Sequence, residues 1–135
     1  MGKKKIVIDT NNLISALGWE GKSRELLRRV IDNEYEMIIS LKQIEELKRV
    51  LNYPRFKFRE EQKQKFLGVI FEIATMIETK TAINIIKDTS DNMLIESAVE
   101  SCSDYIISGD NHLKTIKQFR GIKIISVSEF LREEK

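Results

Sequence analysis

Lys5-Ile6-Val7-Ile8-Asp9-Thr10-Asn11-Asn12 is the stretch around which the rest of the 135-residue chain is read. Ile6, Val7 and Ile8 are consecutive apolar β-formers, the pattern of a strand buried on both faces in a parallel sheet. Asp9 ends that run. In open α/β sheets ligands bind at the carboxyl ends of the strands, so a carboxylate there is a candidate for chemistry. Asp also caps helices, and this stretch alone leaves both uses open.

Working outward, strands and helices alternate. Residues 37–39, 105–107 and 122–125 repeat the short apolar pattern, and 75–77 offers a further strand. Leu26, Leu27, Val30 and Ile31 form the apolar face of a helix capped by Ser23, with Arg24, Arg28 and Arg29 outside. Ser40 and Gln43 have capping-box spacing, so a helix starts there and stops before Pro54. A longer helix covers residues 59–74 around Phe66, Leu67, Ile70 and Ile73. Residues 79–87 show no clean period. Asp88 to Asp91 starts a helix carrying Leu94, Ile95, Ala98 and Cys102, and a short helix covers residues 112–118. Ser126 and Glu129 form a second capping box. This alternation predicts right-handed crossovers and a parallel sheet covered on both faces, within one domain over residues 1–135.

Composition narrows the function. The hydrophobic share of 41% is that of a globular chain, and a net charge of +2 creates no field that advertises a nucleic-acid partner. The single cysteine, Cys102, excludes an internal disulfide and is expected to be a buried thiol. One histidine, His112, excludes a zinc site built from cysteines and histidines. No apolar run approaches a membrane span, and the N-terminal lysines precede no apolar signal region, so the chain is expected in the cytoplasm.

Acidic residues recur at strand ends or in the first helical turn beyond one: Asp9, then Glu45 or Glu46, then Asp91 and Asp110. In a parallel sheet those ends share one edge. Each also has a local reading. Asp91 suits a first helical turn, Asp110 suits a turn after Gly109, and helix glutamates are usually solvated. Together they predict a pocket of carboxylates. Two like charges about 4 Å apart repel by roughly 1 kcal/mol in water and about 4 kcal/mol at an effective dielectric of about 20. A hard divalent cation, Mg²⁺ or Mn²⁺, resolves that conflict with oxygen ligands alone.

Asp9-Thr10-Asn11 after the first strand, Ser40 followed by Glu46-Leu47, Asp91 leading Leu94-Ile95 and Ala98, and Ser108-Gly109-Asp110-Asn111-His112-Leu113 together resemble the PIN domain family. The order and spacing agree from Lys5 to Leu131. The Asp88–Asn92 segment and the closing Ile-Ile-Ser-Val-Ser-Glu-Phe-Leu look most like the toxin components of toxin–antitoxin pairs. A proline often follows the first Asp of that segment in the family, and Thr89 stands there instead.

The resemblance implies a three-layer α/β/α fold with a central parallel sheet of about five strands in the order 3-2-1-4-5. It implies a Mg²⁺- or Mn²⁺-dependent ribonuclease, with Asp9, Glu46, Asp91 and Asp110 as catalytic and metal-binding residues. Asn11, Ser40 and Ser108 would support them. Helical geometry does not separate Glu45 from Glu46; the family pattern selects Glu46. The implied partners are an RNA substrate, an antitoxin protein and a second copy of the chain, with the 59–74 helix offering a dimer face. Few exposed aromatics are expected, so base stacking should contribute little. Two other functions compete: a non-catalytic RNA- or protein-binding module, and phosphoryl transfer through an aspartyl-phosphate on Asp9. The second usually needs another acid two residues on, where Asn11 stands, and a lysine at a later strand end, where Ser108 and Ser126 stand.

Overall fold

The computed structural model describes residues 2–134. Its sheet runs β3-β2-β1-β4-β6-β5. β1 (Lys5–Ile8) is central, between β2 (Glu36–Ser40) and β4 (Tyr105–Ile107). β3 (Ala74–Ile77) pairs with β2, and β6 (Ile122–Ile125) with β4, all in parallel. These five strands carry the expected order. The sixth, β5 (Gln118–Phe119), is an antiparallel edge added by a hairpin. Arg120 and Gly121 form its two-residue turn, and both have positive φ, as a type I′ turn requires. The expected helix over 112–118 therefore stops earlier: α6 is Asn111–Ile116.

Strand alternation divides the core into two layers. Ile6 and Ile8 face one side, with Met37 and Ile39. There they meet α1 (Thr10–Gly18), α2 (Lys22–Ile31), α3 (Leu41–Leu51), α4 (Glu60–Ile73) and α7 (Val127–Glu133). Val7, Ile38 and Ile106 face the other side, against Leu94, Ile95 and Ala98 of α5 (Thr89–Ser101) and Leu113 of α6. Complete burial of Ile6, Val7 and Ile106 is the two-sided burial read from the strand pattern.

Segment 79–87 lies along α5, and its backbone bonds to side chains of that helix. Asn92 Oδ1 accepts from Ile85 N and Ile86 N at 3.2 and 3.1 Å. Glu96 accepts from Ile83 N at 2.9 Å, and Glu100 from Lys80 N at 3.0 Å. Positions 92, 96 and 100 are successive turns of one helix face, so they fasten the segment in register.

Three local expectations are corrected. Helix α2 begins at Lys22 after Gly21, and the Ser23 hydroxyl instead donates to Asn12 Oδ1 at 2.9 Å. The apolar stripe of α2 ends at Val30, leaving Ile31 exposed, while Arg24 donates to the Ala16 and Leu17 carbonyls and ties α1 to α2. Cys102 is exposed: it follows the last turn of α5 in a left-handed conformation, which points the thiol out of the apolar face.

Candidate active site

Asp9, Glu46, Asp91 and Asp110 line one pocket of about 200 Å³, together with Thr10, Asn11, Asp88 and Ser90. The pocket lies at the carboxyl ends of β1 and β4, and each acid reaches it by a traceable local route.

Asp9 leaves β1 and caps α1, its Oδ1 accepting from Asn12 N at 2.8 Å. Its Oδ2 accepts from the Ser108 hydroxyl at 2.7 Å, beyond β4. The capping and the site readings of Asp9 therefore describe one carboxyl group. Ser108 Oγ also accepts from Asp110 N at 3.0 Å, so one buried serine fixes two of the acidic positions. Asp110 caps α6, accepting from His112 N at 2.8 Å and Leu113 N at 3.2 Å.

Glu46 is placed by α3. Ser40 caps that helix, accepting from Gln43 N at 3.0 Å. Gln43 does not close a capping box; buried, it donates to the Ile8 carbonyl at 2.7 Å and fixes α3 against the end of β1. One turn further, Glu46 accepts hydrogen bonds from Thr10 Oγ1 and from Ser90 Oγ. The Glu46 side chain is 15% exposed, whereas that of Glu45 is 75% exposed and pairs with Lys48. Structure thus separates the two glutamates that helical period leaves equivalent. Ser40 is near the site only through α3 and does not line the pocket; Asn11 and Ser108 stand at it.

Asp91 sits in the first turn of α5, whose cap is Asp88. Burial, then the charges of Asp110 and Asp88, push its pKa up from 3.8 to about 7. Burial also raises the pKa of Asp9, against the hydrogen bonds from Ser108 and Asn12. Asp91 Oδ2 is buried with no hydrogen-bond partner among the described residues. Oxygens of Asp91 and Asp110 and a ring nitrogen of His112 lie within 4.8 Å of one another. An orphaned carboxylate oxygen facing other carboxylates suits a hard divalent cation. Sequence reasoning missed His112, Asp88, Thr10 and Ser90 as site residues. The signal for His112 was its place two residues after Asp110, inside the quoted motif.

A parallel α/β sheet with carboxylates converging at the carboxyl ends of its central strands marks the PIN class of domain. The family model for the PIN domain matches residues 5–112. The chain belongs to the PIN domain family. No curated protein matches it in sequence. Among solved structures it is similar to VapBC2 from Rickettsia felis, bound to a DNA fragment from its promoter, at 14% identity. That match covers 89% of this chain and 96% of the other, with a TM-score of 0.64. It is also similar to the PIN domain endonuclease Utp24 at 18% identity, covering 90% and 84% of the two chains with a TM-score of 0.56. The PIN domain of human SMG5 matches at 15% identity over 97% and 99% of the chains, with a TM-score of 0.55. At these identities the likeness shows the shared fold. No helix among the described residues is long and apolar enough to cross a membrane.

Proposed function

We propose that the chain is a single-domain, cytoplasmic ribonuclease that needs Mg²⁺ or Mn²⁺ to hydrolyse RNA phosphodiesters, and that it is the toxin of a toxin–antitoxin pair. The observation that carries this reading is that Asp9, Glu46, Asp91 and Asp110, from four separate segments, line one pocket in which a buried oxygen of Asp91 has no hydrogen-bond partner among the described residues. Asp9, Asp91 and Asp110 would hold the cation, with Glu46 beside them. A divalent ion held there would polarise a phosphoryl oxygen and activate water as a nucleophile.

The chain's own groups set the geometry. Ser108 and the Asn12 amide fix the Asp9 carboxyl, and Thr10 and Ser90 fix that of Glu46. Held there, Glu46 would orient an attacking water or help to hold a second ion. Among the described residues the pocket lining holds no lysine, the residue an aspartyl-phosphate mechanism needs, and this favours hydrolysis. The likeness in fold to VapBC2 supports an antitoxin partner. A homodimer through the outer face of α4, where Phe71 is exposed, belongs to the same reading.

The test is cleavage of a labelled single-stranded RNA with Mn²⁺ and with EDTA. Wild type and Glu45→Gln should cut it in the presence of the metal, and EDTA should stop both. Asp9→Asn, Asp91→Asn and Glu46→Gln should each lose orders of magnitude in rate. Cleavage that survives EDTA, or an essential Glu45 beside a dispensable Glu46, would refute the assignment.

A further inference from the structure

A second cleft, of about 500 Å³, opens beside the acidic pocket between the α1–α2 turn and the start of α7. Its volume is that of a small-ligand site. Asn12 and Gly109 line it, and both adjoin the acids: Asn12 N bonds to Asp9, and Gly109 precedes Asp110 in the chain. The two cavities therefore share a wall at the carboxyl ends of β1 and β4.

The chemistry of this cleft differs from that of the pocket. Trp19 lines it and is 55% exposed, the most exposed large hydrophobic residue described. Phe56 and Phe58 meet its indole edge-on, with centroids 6.3 and 6.4 Å away, so the ring is held in place while most of its surface stays open. The charged lining is one cation and one anion, Lys22 and Glu20, which cancel. Lys22 Nζ donates to Ser128 Oγ across the cleft at 3.1 Å. The other polar groups are hydroxyls and an amide, from Ser15, Ser23, Ser126 and Asn12. Lys22 and the amino ends of α2 and α7 give this wall a mild preference for a phosphate, and the open face of Trp19 beside them is apolar. An aromatic platform ringed by hydroxyl and amide groups is what recognises an unpaired base.

We propose that this cleft is a base-binding subsite for single-stranded RNA, in which Trp19 stacks on the base of a nucleotide flanking the cleaved phosphate. The proposal rests on the ribonuclease reading for its substrate. It replaces the expectation that base stacking contributes little.

Trp19 is the only tryptophan of the chain, so its fluorescence reports this cleft alone. The probes are adenosine, which is uncharged and insensitive to the acidic pocket, and a short labelled single-stranded RNA in EDTA. Both should quench Trp19. By fluorescence anisotropy, Trp19→Ala should bind the RNA roughly tenfold more weakly, and Trp19→Phe should keep most of the affinity. In cleavage assays Trp19→Ala should raise KM and leave kcat nearly unchanged, because Trp19 lines the cleft and not the acidic pocket. Unquenched fluorescence with both probes, or equal RNA affinity in wild type and Trp19→Ala, would overturn the subsite and leave this face to a protein partner. Quenching and the Trp19→Ala loss without any cleavage would uphold the subsite and reject the ribonuclease reading. Asp9-dependent cleavage indifferent to Trp19 would do the reverse.

Discussion

Asp91→Asn should stabilise the metal-free protein, by an amount that grows with pH. The Asp91 carboxyl has a pKa of about 7 in the folded chain against 3.8 when unperturbed. The folded state thus holds its proton more tightly than the unfolded state. The contribution of this carboxyl to stability is greatest below pH 3.8, declines as pH rises, and reaches its floor above about 7. Each pH unit in that window removes at most about 1.4 kcal/mol, so pH 5 to pH 7 removes at most roughly 2.7 kcal/mol. Asp91 is 6% exposed overall, but its carboxyl faces a pocket that water enters, and screening halves the figure to about 1.4 kcal/mol. Asparagine has the same shape and does not titrate. Thermal unfolding in EDTA should therefore show the melting-temperature advantage of Asp91→Asn growing by about 5 °C between pH 5 and pH 8. An advantage that stays constant with pH, or shrinks, would refute the electrostatic account of the pocket.

Two further outcomes follow from the same geometry. Mn²⁺ should raise the melting temperature of wild type at pH 8 by mass action, and Asp9→Asn should lose most of that shift; equal shifts in both would place the ion elsewhere. Asp110 both lines the pocket and caps α6; Asp110→Ala and Asp110→Asn both remove the charge beside Asp91, but only asparagine keeps an acceptor for the cap, so Asp110→Ala should be about 1 kcal/mol less stable than Asp110→Asn in denaturant unfolding.

What the sequence disclosed is what periodicity and strand ends can disclose. The run Ile6-Val7-Ile8 requires burial on two faces, and the strand pattern repeats at β2, β4 and β6; these set the sheet and with it the edge where Asp9 and Asp110 meet. Glu45 and Glu46 lay beyond that reach, because adjacent residues on a helix both fall beside the apolar stripe. Their difference arises from Thr10 and Ser90, which are distant in sequence. Segment 79–87 was opaque because its backbone partners are side chains of α5 rather than a strand or a helical turn. The β5 hairpin escaped because its turn is Arg120-Gly121 rather than the commoner Asn-Gly. Cys102 was misread by extending the apolar stripe of α5 past the residue where the helix ends.

Asp9, Asp88 and Asp110 each cap a helix, so the amino ends of α1, α5 and α6 converge on the pocket they line. The aligned peptide dipoles of a helix place about half a positive charge at its amino end. Three such ends offer up to about +1.5 against the five carboxylates of the pocket, before any cation arrives. The backbone thus acts as a permanent partial counterion. A site neutralised only by a bound metal would grip that metal very tightly and swing strongly negative whenever it left. Here the swing is blunted: without an ion the pocket carries less net negative charge than its five carboxylates alone would give it.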